Sequence, residues 1–169
     1  MVEQSEEISK EALDRARNFI FKAIEMDKKE PLRTIIQHGF PIDETITNTG
    51  MTPLMLCASM GSAEILQLAL ELEPDVNKKD KMGRTALHFA CRRGELELYN
   101  ILAEHEDIDL DAQTNAGVTP LMMAVHSGEM QIIFACVSAG ANPFLKDGLE
   151  RSAYDYAAYF PKKNLGVDI

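Results

Sequence analysis

A four-residue string recurs along this chain at a nearly constant interval, and that interval limits the fold more than any other feature. Thr52-Pro53-Leu54-Met55, Thr85-Ala86-Leu87-His88, Thr119-Pro120-Leu121-Met122 and Ser152-Ala153-Tyr154-Asp155 follow one another at 33, 34 and 33 residues. Each of the first three is preceded two residues earlier by glycine (Gly50, Gly83, Gly117), and each reaches a second glycine nine residues after its threonine (Gly61, Gly94, Gly128). A period in this range denotes one supersecondary unit that cannot bury its apolar faces alone and stacks on copies of itself.

The chemistry of one unit follows from its residues. Thr52 offers a hydroxyl to orphan N–H groups at a helix start, and Pro53 at the first helical position gives up no useful donor. Leu54, Leu56, Cys57 and Ala58 then form the buried side of a short helix that Gly61 ends, since glycine takes the left-handed conformation cheaply. A second helix, from about Ala63 to Glu71, sets Ile65, Leu66, Leu68, Ala69 and Leu72 at helical spacing against the first. The turn-rich stretch that follows, with Asp75, Asn77, Asp80 and Gly83, suits a hairpin-like connection. Helices this short are marginal alone in water, so stacking between units must supply the stability. The expected fold is an all-α solenoid of paired short antiparallel helices with hairpin-like loops.

In period, spacing and residue chemistry the pattern resembles the ankyrin repeat, whose Thr-Pro-Leu-His string, small-residue helix and following glycine are matched at Thr52 to Gly61, Thr85 to Gly94 and Thr119 to Gly128. The resemblance covers residues 44–160 and implies about five units, counting degenerate terminal ones. Residues 1–43 are expected to hold an N-terminal capping helix and a degenerate first repeat, in which Phe21, Leu32, Ile35, Ile36 and Gly39 take the equivalent places. The capping helix, from about Glu6 to Met26, carries Ile8, Ala12, Ala16, Phe19, Ile20, Ala23 and Ile24 along one face. Residues 161–169 are read as a C-terminal tail. The string's histidine survives only as His88, which implies that the polar network between units is mostly replaced by apolar packing. One extra residue between Gly94 and Gly117 predicts a bulge in the Ile101–Asp111 segment.

Composition restricts function. With 17 basic and 27 acidic residues the chain carries a net charge of −10, a field that repels nucleic acid and anionic lipid. Cys57, Cys91 and Cys136 are odd in number and widely spaced, which fits a reducing compartment; with no apolar run at the N-terminus, the expected location is cytoplasmic. Together with His88, His105 and His126 they show no metal-ligand spacing, and Cys57 and Cys91 occupy positions where the repeat buries alanine on its first helix. Glu6-Glu7 and Asp107, Asp109 and Asp111 read as solvated surface. No phosphate loop, dinucleotide fingerprint, nucleophile elbow or kinase signature occurs, so neither catalysis, a cofactor nor a small-molecule substrate is expected.

What the resemblance does imply is a concave contact surface, built from hairpin tips and the last residues of each first helix. Mapping those places by spacing selects 24 residues, of which seven are basic and none acidic, where even sharing would place about four acids. The implied partner-binding residues are Met51, Met60, Lys79, Lys81, Met82, Arg84, Arg92, Arg93, Lys146, Arg151, Tyr159 and Phe160. Their chemistry suits a protein segment that offers acids and an apolar anchor, and neither a membrane nor nucleic acid, since stacking aromatics are missing. Tyr154, Tyr156, Tyr159 and Phe160 also crowd the C-terminal end, an apolar edge able to dock on another subunit or to be covered by the tail. Asn77 matches the hairpin asparagine that is hydroxylated in some ankyrin proteins. The expected function is a non-catalytic adaptor or assembly subunit; the alternative is a stand-alone inhibitor of an enzyme such as a protein kinase.

Overall fold

The fold was obtained as a computed structural model, which describes residues 10–38, 40–60 and 62–159. Among these the chain forms α1 (Lys10–Glu25), α2 (Lys29–Gln37), α3 (Pro53–Met60), α4 (Ala63–Leu70), α5 (Ala86–Arg93), α6 (Leu96–Ala103), α7 (Pro120–Ser127), α8 (Met130–Ser138) and α9 (Ala153–Tyr159). Four antiparallel pairs and one further helix therefore follow one another. The first helices α1, α3, α5, α7 and α9 stack in one layer, and the second helices α2, α4, α6 and α8 in another. No described helix is long and apolar enough to cross a membrane.

The first-helix layer is the core. In α3 every residue from Pro53 to Ala58 is buried, so that helix is apolar around its circumference, as befits one with neighbours on all sides. Small residues at Cys57, Ala58, Ala90, Cys91 and Ala124, all fully buried, let adjacent layers approach closely. Threonine starts these helices as expected: Met55 N–H donates to Thr52 Oγ1 at 3.4 Å and Met122 N–H to Thr119 Oγ1 at 3.2 Å. Gly94 and Gly128 end α5 and α7 with φ of 83° and 80°; Gly61 and Gly39 lie outside the described residues.

Two kinds of hydrogen bond link each unit to the next through the hairpin loops. Along the tips, Lys81 N–H donates to Thr49 O at 3.1 Å, Asn115 N–H to Met82 O at 2.9 Å and Gly148 N–H to Ala116 O at 2.8 Å. At the hairpin base, side chains do the same: Asp75 N–H donates to Asp43 Oδ1 (3.0 Å), Asp109 N–H to Asn77 Oδ1 (2.9 Å) and Asn142 N–H to Asp111 Oδ1 (2.8 Å). Gly83 is required by this spacing, because a Cβ there would meet Asn115 N at 2.6 Å and φ is +78°.

Two sequence expectations change. In the N-terminal helix, whose expected start near Glu6 lies outside the described residues, Ala12 and Phe19 face solvent, Phe19 at 51% exposure; the face packed inward is Leu13, Ala16, Ile20, Ala23 and Ile24. The added residue after α6 makes a tight turn rather than a bulge, closed by Ile108 N–H to His105 O (3.1 Å) and Asp107 N–H to His105 Nδ1 (3.3 Å). Within a unit, the polar cap of the string persists where the histidine is replaced. Asp155 takes the histidine's place by accepting from Ser152 N–H and Oγ at 2.8 and 2.7 Å, and the Met122 sulfur receives Thr119 N–H at 3.4 Å. Only the link to the next unit is confined to His88. Ile8 lies outside the described residues, as do the side chains of Ile35 and Ile36.

Candidate functional site

Each hairpin turn is organised by one side chain at a fixed place: Thr47, Asp80, Thr114 and Asp147. Asp80 Oδ1 accepts from the N–H of Met82 (2.9 Å) and Arg84 (2.8 Å), and Asp147 Oδ1 from Leu149 (2.8 Å) and Arg151 (3.0 Å). Thr114 Oγ1 does the same for Ala116 and Val118, and Thr47 Oγ1 receives Met51 N–H. The residues just past this anchor are thereby pushed outward. Asn48, Thr49, Lys81, Met82, Asn115, Ala116, Gly148 and Leu149 are all exposed, forming a continuous row of tips. Arg92, Arg93 and His126, at the ends of α5 and α7, are exposed as well.

The twelve positions implied as partner contacts fall into distinct settings. Met51 is buried with Ile46 under the first described hairpin, which corrects the expectation that it offers a contact. Arg84 is half-buried: its Nε and Nη2 bind Asp80 Oδ2 at 2.8 and 2.6 Å, and its guanidinium carbon lies 4.6 Å over the Phe89 ring. Arg151 repeats the arrangement, with Nη2 3.5 Å from Asp147 Oδ2 and the guanidinium 4.7 Å over Tyr156, whose hydroxyl donates to Asp147 at 2.5 Å. These two arginines hold turns. Burial works to raise the Asp147 carboxyl, but the Tyr156 hydroxyl and the Arg151 and Leu149 amides outweigh it and keep its pKa below the usual carboxylate value.

The remaining cations face solvent. Lys79 Nζ donates to Gln113 O and Lys81 Nζ to Asn48 O, each at 2.9 Å, so both bridge adjacent units with no carboxylate partner among the described residues. Arg93 pairs with Glu95 at 2.6 Å and Lys146 with Glu150 at 3.3 Å. Four of the seven groove cations thus have a carboxylate beside them, and a mapping that found no acid missed Asp80, Glu95, Asp147 and Glu150. The Arg92 side chain makes no hydrogen bond or ion pair among the described residues. Met82, in the row of tips, is 59% exposed, Met60 is half-buried, and Leu149, also among the 24 mapped places, is 69% exposed. Tyr159 closes α9, but its side chain and Phe160 lie outside the described residues.

Asn77 is a link between units: besides receiving Asp109 N–H, its Nδ2 donates to Asp107 O at 2.6 Å. His88 is buried between units, with Thr85 N–H donating to Nδ1 (3.1 Å), which assigns the proton to Nε2 and makes it the donor to Val118 O (2.9 Å). Burial lowers its pKa, the Val118 carbonyl pulls partly the other way, and Lys79 lowers it further. All three cysteines are buried, and burial raises the Cys57 and Cys91 thiols, so neither is poised as a nucleophile.

Sequence reasoning missed a group at the far end of the stack. Phe134, Val137 and Phe144 are 64%, 49% and 69% exposed. The signal was present in the alignment of units: Phe134 stands where α4 and α6 expose Gln67 and Asn100, and Phe144 where the hairpin bases carry Glu44, Asn77 and Asp111.

Comparison with known proteins agrees with this architecture. Residues 3–112 and 72–147 match a family model for ankyrin repeats, three copies. The chain is 30% identical over 137 residues to neurogenic locus notch homolog protein 1 of Danio rerio, a match covering 81% of this chain and 6% of that protein. The Homo sapiens form of the same protein is 30% identical over 134 residues, 79% of this chain and 5% of its own length. BCL-6 corepressor-like protein 1 of Homo sapiens is 35% identical over 99 residues, 58% of this chain and 6% of that protein. The chain therefore spans about one-twentieth of the length of these relatives. With the repeat geometry and the family match in agreement, this chain belongs to the ankyrin-repeat family, a protein–protein interaction module.

Proposed function

We propose that the chain is a small adaptor, or a fixed subunit of a larger assembly, that binds an acidic protein segment along the row of hairpin tips, with the C-terminal edge as a second docking surface. One observation carries the reading: Lys79, Lys81 and Met82 stand exposed on one hairpin and Arg92 at the end of the following helix α5, in a molecule whose net charge is −10. Local positive charge on an acidic protein steers acidic segments to that place and away from the rest of the surface. An exposed methionine adapts its shape to an apolar anchor. Arg84 and Arg151 stay out of the contact set, since each is committed to a buried carboxylate.

Selection from a random peptide display library tests this. The wild-type chain is expected to enrich acidic segments bearing an apolar residue, with affinity falling as salt rises toward 0.5 M. Exchanging Lys79, Lys81 and Arg92 for Glu should weaken the selected peptides at least tenfold, about 1.4 kcal/mol, with unchanged helicity. Equal affinity in the triple variant would refute the groove.

A further inference from the structure

In the three complete units from α3 onward, one face of the first helix is covered by the second helix of the same unit. Leu54, Leu87 and Leu121 on that face are each 1% exposed, and the alanines and cysteines beside them are fully or almost fully buried. On α9 the equivalent face is open: Tyr154 is 66% exposed, and Ala157 and Ala158 face solvent. Beside it, α8 shows the side that a following second helix would cover. Met130, Ile133 and Val137 are each more exposed than their counterparts in α4 and α6, and α8 carries no charged side chain. The Tyr154 and Phe144 rings, 6.1 Å apart, close one end. Among the described residues this leaves an apolar slot beside α8 and α9 at the place where α4, α6 and α8 each cover the first helix of their own unit.

The chain's own next residues do not suit it. Counting from the repeat, Gly166 falls where the covering helices pack Leu66, Tyr99 and Ile133, and Asp168 where they carry Leu68, Ile101 and Ala135. A glycine and a carboxylate at packed positions of a helix lose both propensity and burial. Nor does Phe144 offer the oxygen with which Asp43, Asn77 and Asp111 each receive the next unit's N–H, so another unit of the same kind would find no such link here.

We infer that this slot binds an amphipathic helix of a partner protein, which lays an apolar stripe at i, i+3, i+4 and i+7 between α8 and α9 and completes the fifth unit in trans. The inference rests on reading the C-terminal edge as a docking surface and adds the class of partner. An apolar face of this kind is met by two to three turns of helix, the helix-in-groove mode of recognition. Phe134, exposed on the outer flank of α8 where other units carry Gln67 or Asn100, extends the contact past the slot's rim.

The probe is a display library of 16-residue amphipathic helical peptides randomised on their apolar face. Wild-type chain should select a family with a common apolar stripe, and Phe134→Gln with Phe144→Asp, which restore residues that other units carry at those places, should weaken them at least tenfold without loss of thermal stability. The Lys79, Lys81 and Arg92 exchange should leave these peptides unaffected, which separates failure of the slot from failure of the groove. Three results would overturn the inference. The library yields no stripe; or removal of residues 160–169 raises affinity at least tenfold, making the chain's own tail the occupant; or sedimentation shows a dimer that the Phe134 and Phe144 changes dissociate, making the occupant a second copy.

Discussion

Glu150 stands three residues after the turn anchor Asp147, where the earlier units place Gly50, Gly83 and Gly117. Its φ is +59°, beside +82°, +78° and +75° at the glycines. A side chain in the left-handed region costs about 1–2 kcal/mol, while glycine forfeits about 0.4–1 kcal/mol through the freer unfolded chain. The exposed pair with Lys146 contributes little in return. Glu150→Gly should therefore stabilise the protein by about 0.5–1 kcal/mol, read as a higher urea midpoint at unchanged slope; a lower midpoint would refute the strain. The glycine spacing made this turn legible in the sequence, but the same spacing misplaced Arg84 in the contact set. Spacing locates a residue on a face and is silent about its partner. The signal that Arg84 is a turn residue lay in its repetition, an acid followed four residues later by arginine at Asp80–Arg84 and again at Asp147–Arg151.

Between elements, the His88 imidazole ties α5 to the next hairpin through Nε2–H to Val118 O. The protein needs it neutral, because Nδ1 accepts from Thr85 N–H. Its folded pKa lies below the ordinary histidine value, with burial as the chief cause. In the window between the folded pKa and about 6.5 the unfolded chain binds the extra proton, so stability is complete above that window and falls as pH drops through it. Replacing His88 with Gln should lower stability at pH 7.5 by about 1–3 kcal/mol and flatten the decline between pH 7 and 5. An equal decline in both proteins would show that His88 does not titrate on unfolding. The helix pairs were readable from periodicity because their apolar positions recur every third or fourth residue. The apolar edge at α9 was read from the crowding of tyrosines there, whereas exposed Phe134 and Phe144 beside it were not, since an aromatic in a helix or hairpin has the same character whether a neighbour covers it or solvent does.

At the scale of the whole molecule, a stack in which each unit touches only its neighbours gains stability from every interface, so its ends are held by one interface and its centre by two. α2 meets α4 across the exposed pair Arg33–Glu71 at 3.4 Å and the exposed pair of Lys29 with Glu64, contacts that contribute little. Leu32, fully buried, is then a principal apolar anchor of α2. Leu87 in α5 is buried to the same degree but has α3 on one side and α7 on the other. Truncating either to alanine removes the same atoms, at about 2–5 kcal/mol, yet the consequences should differ in kind. Leu32→Ala should let α1 and α2 open on their own, so that their amides exchange hydrogen at least a hundredfold faster while α5 to α8 keep their protection. Leu87→Ala should instead lower the midpoint of the whole array and leave a single transition, since weakening the centre uncouples both sides together. Uniform loss of protection in Leu32→Ala would mean that the first unit is bound into the stack as firmly as the central ones. The degenerate sequence of residues 1–43 would then reflect packing against α3 rather than a weak end.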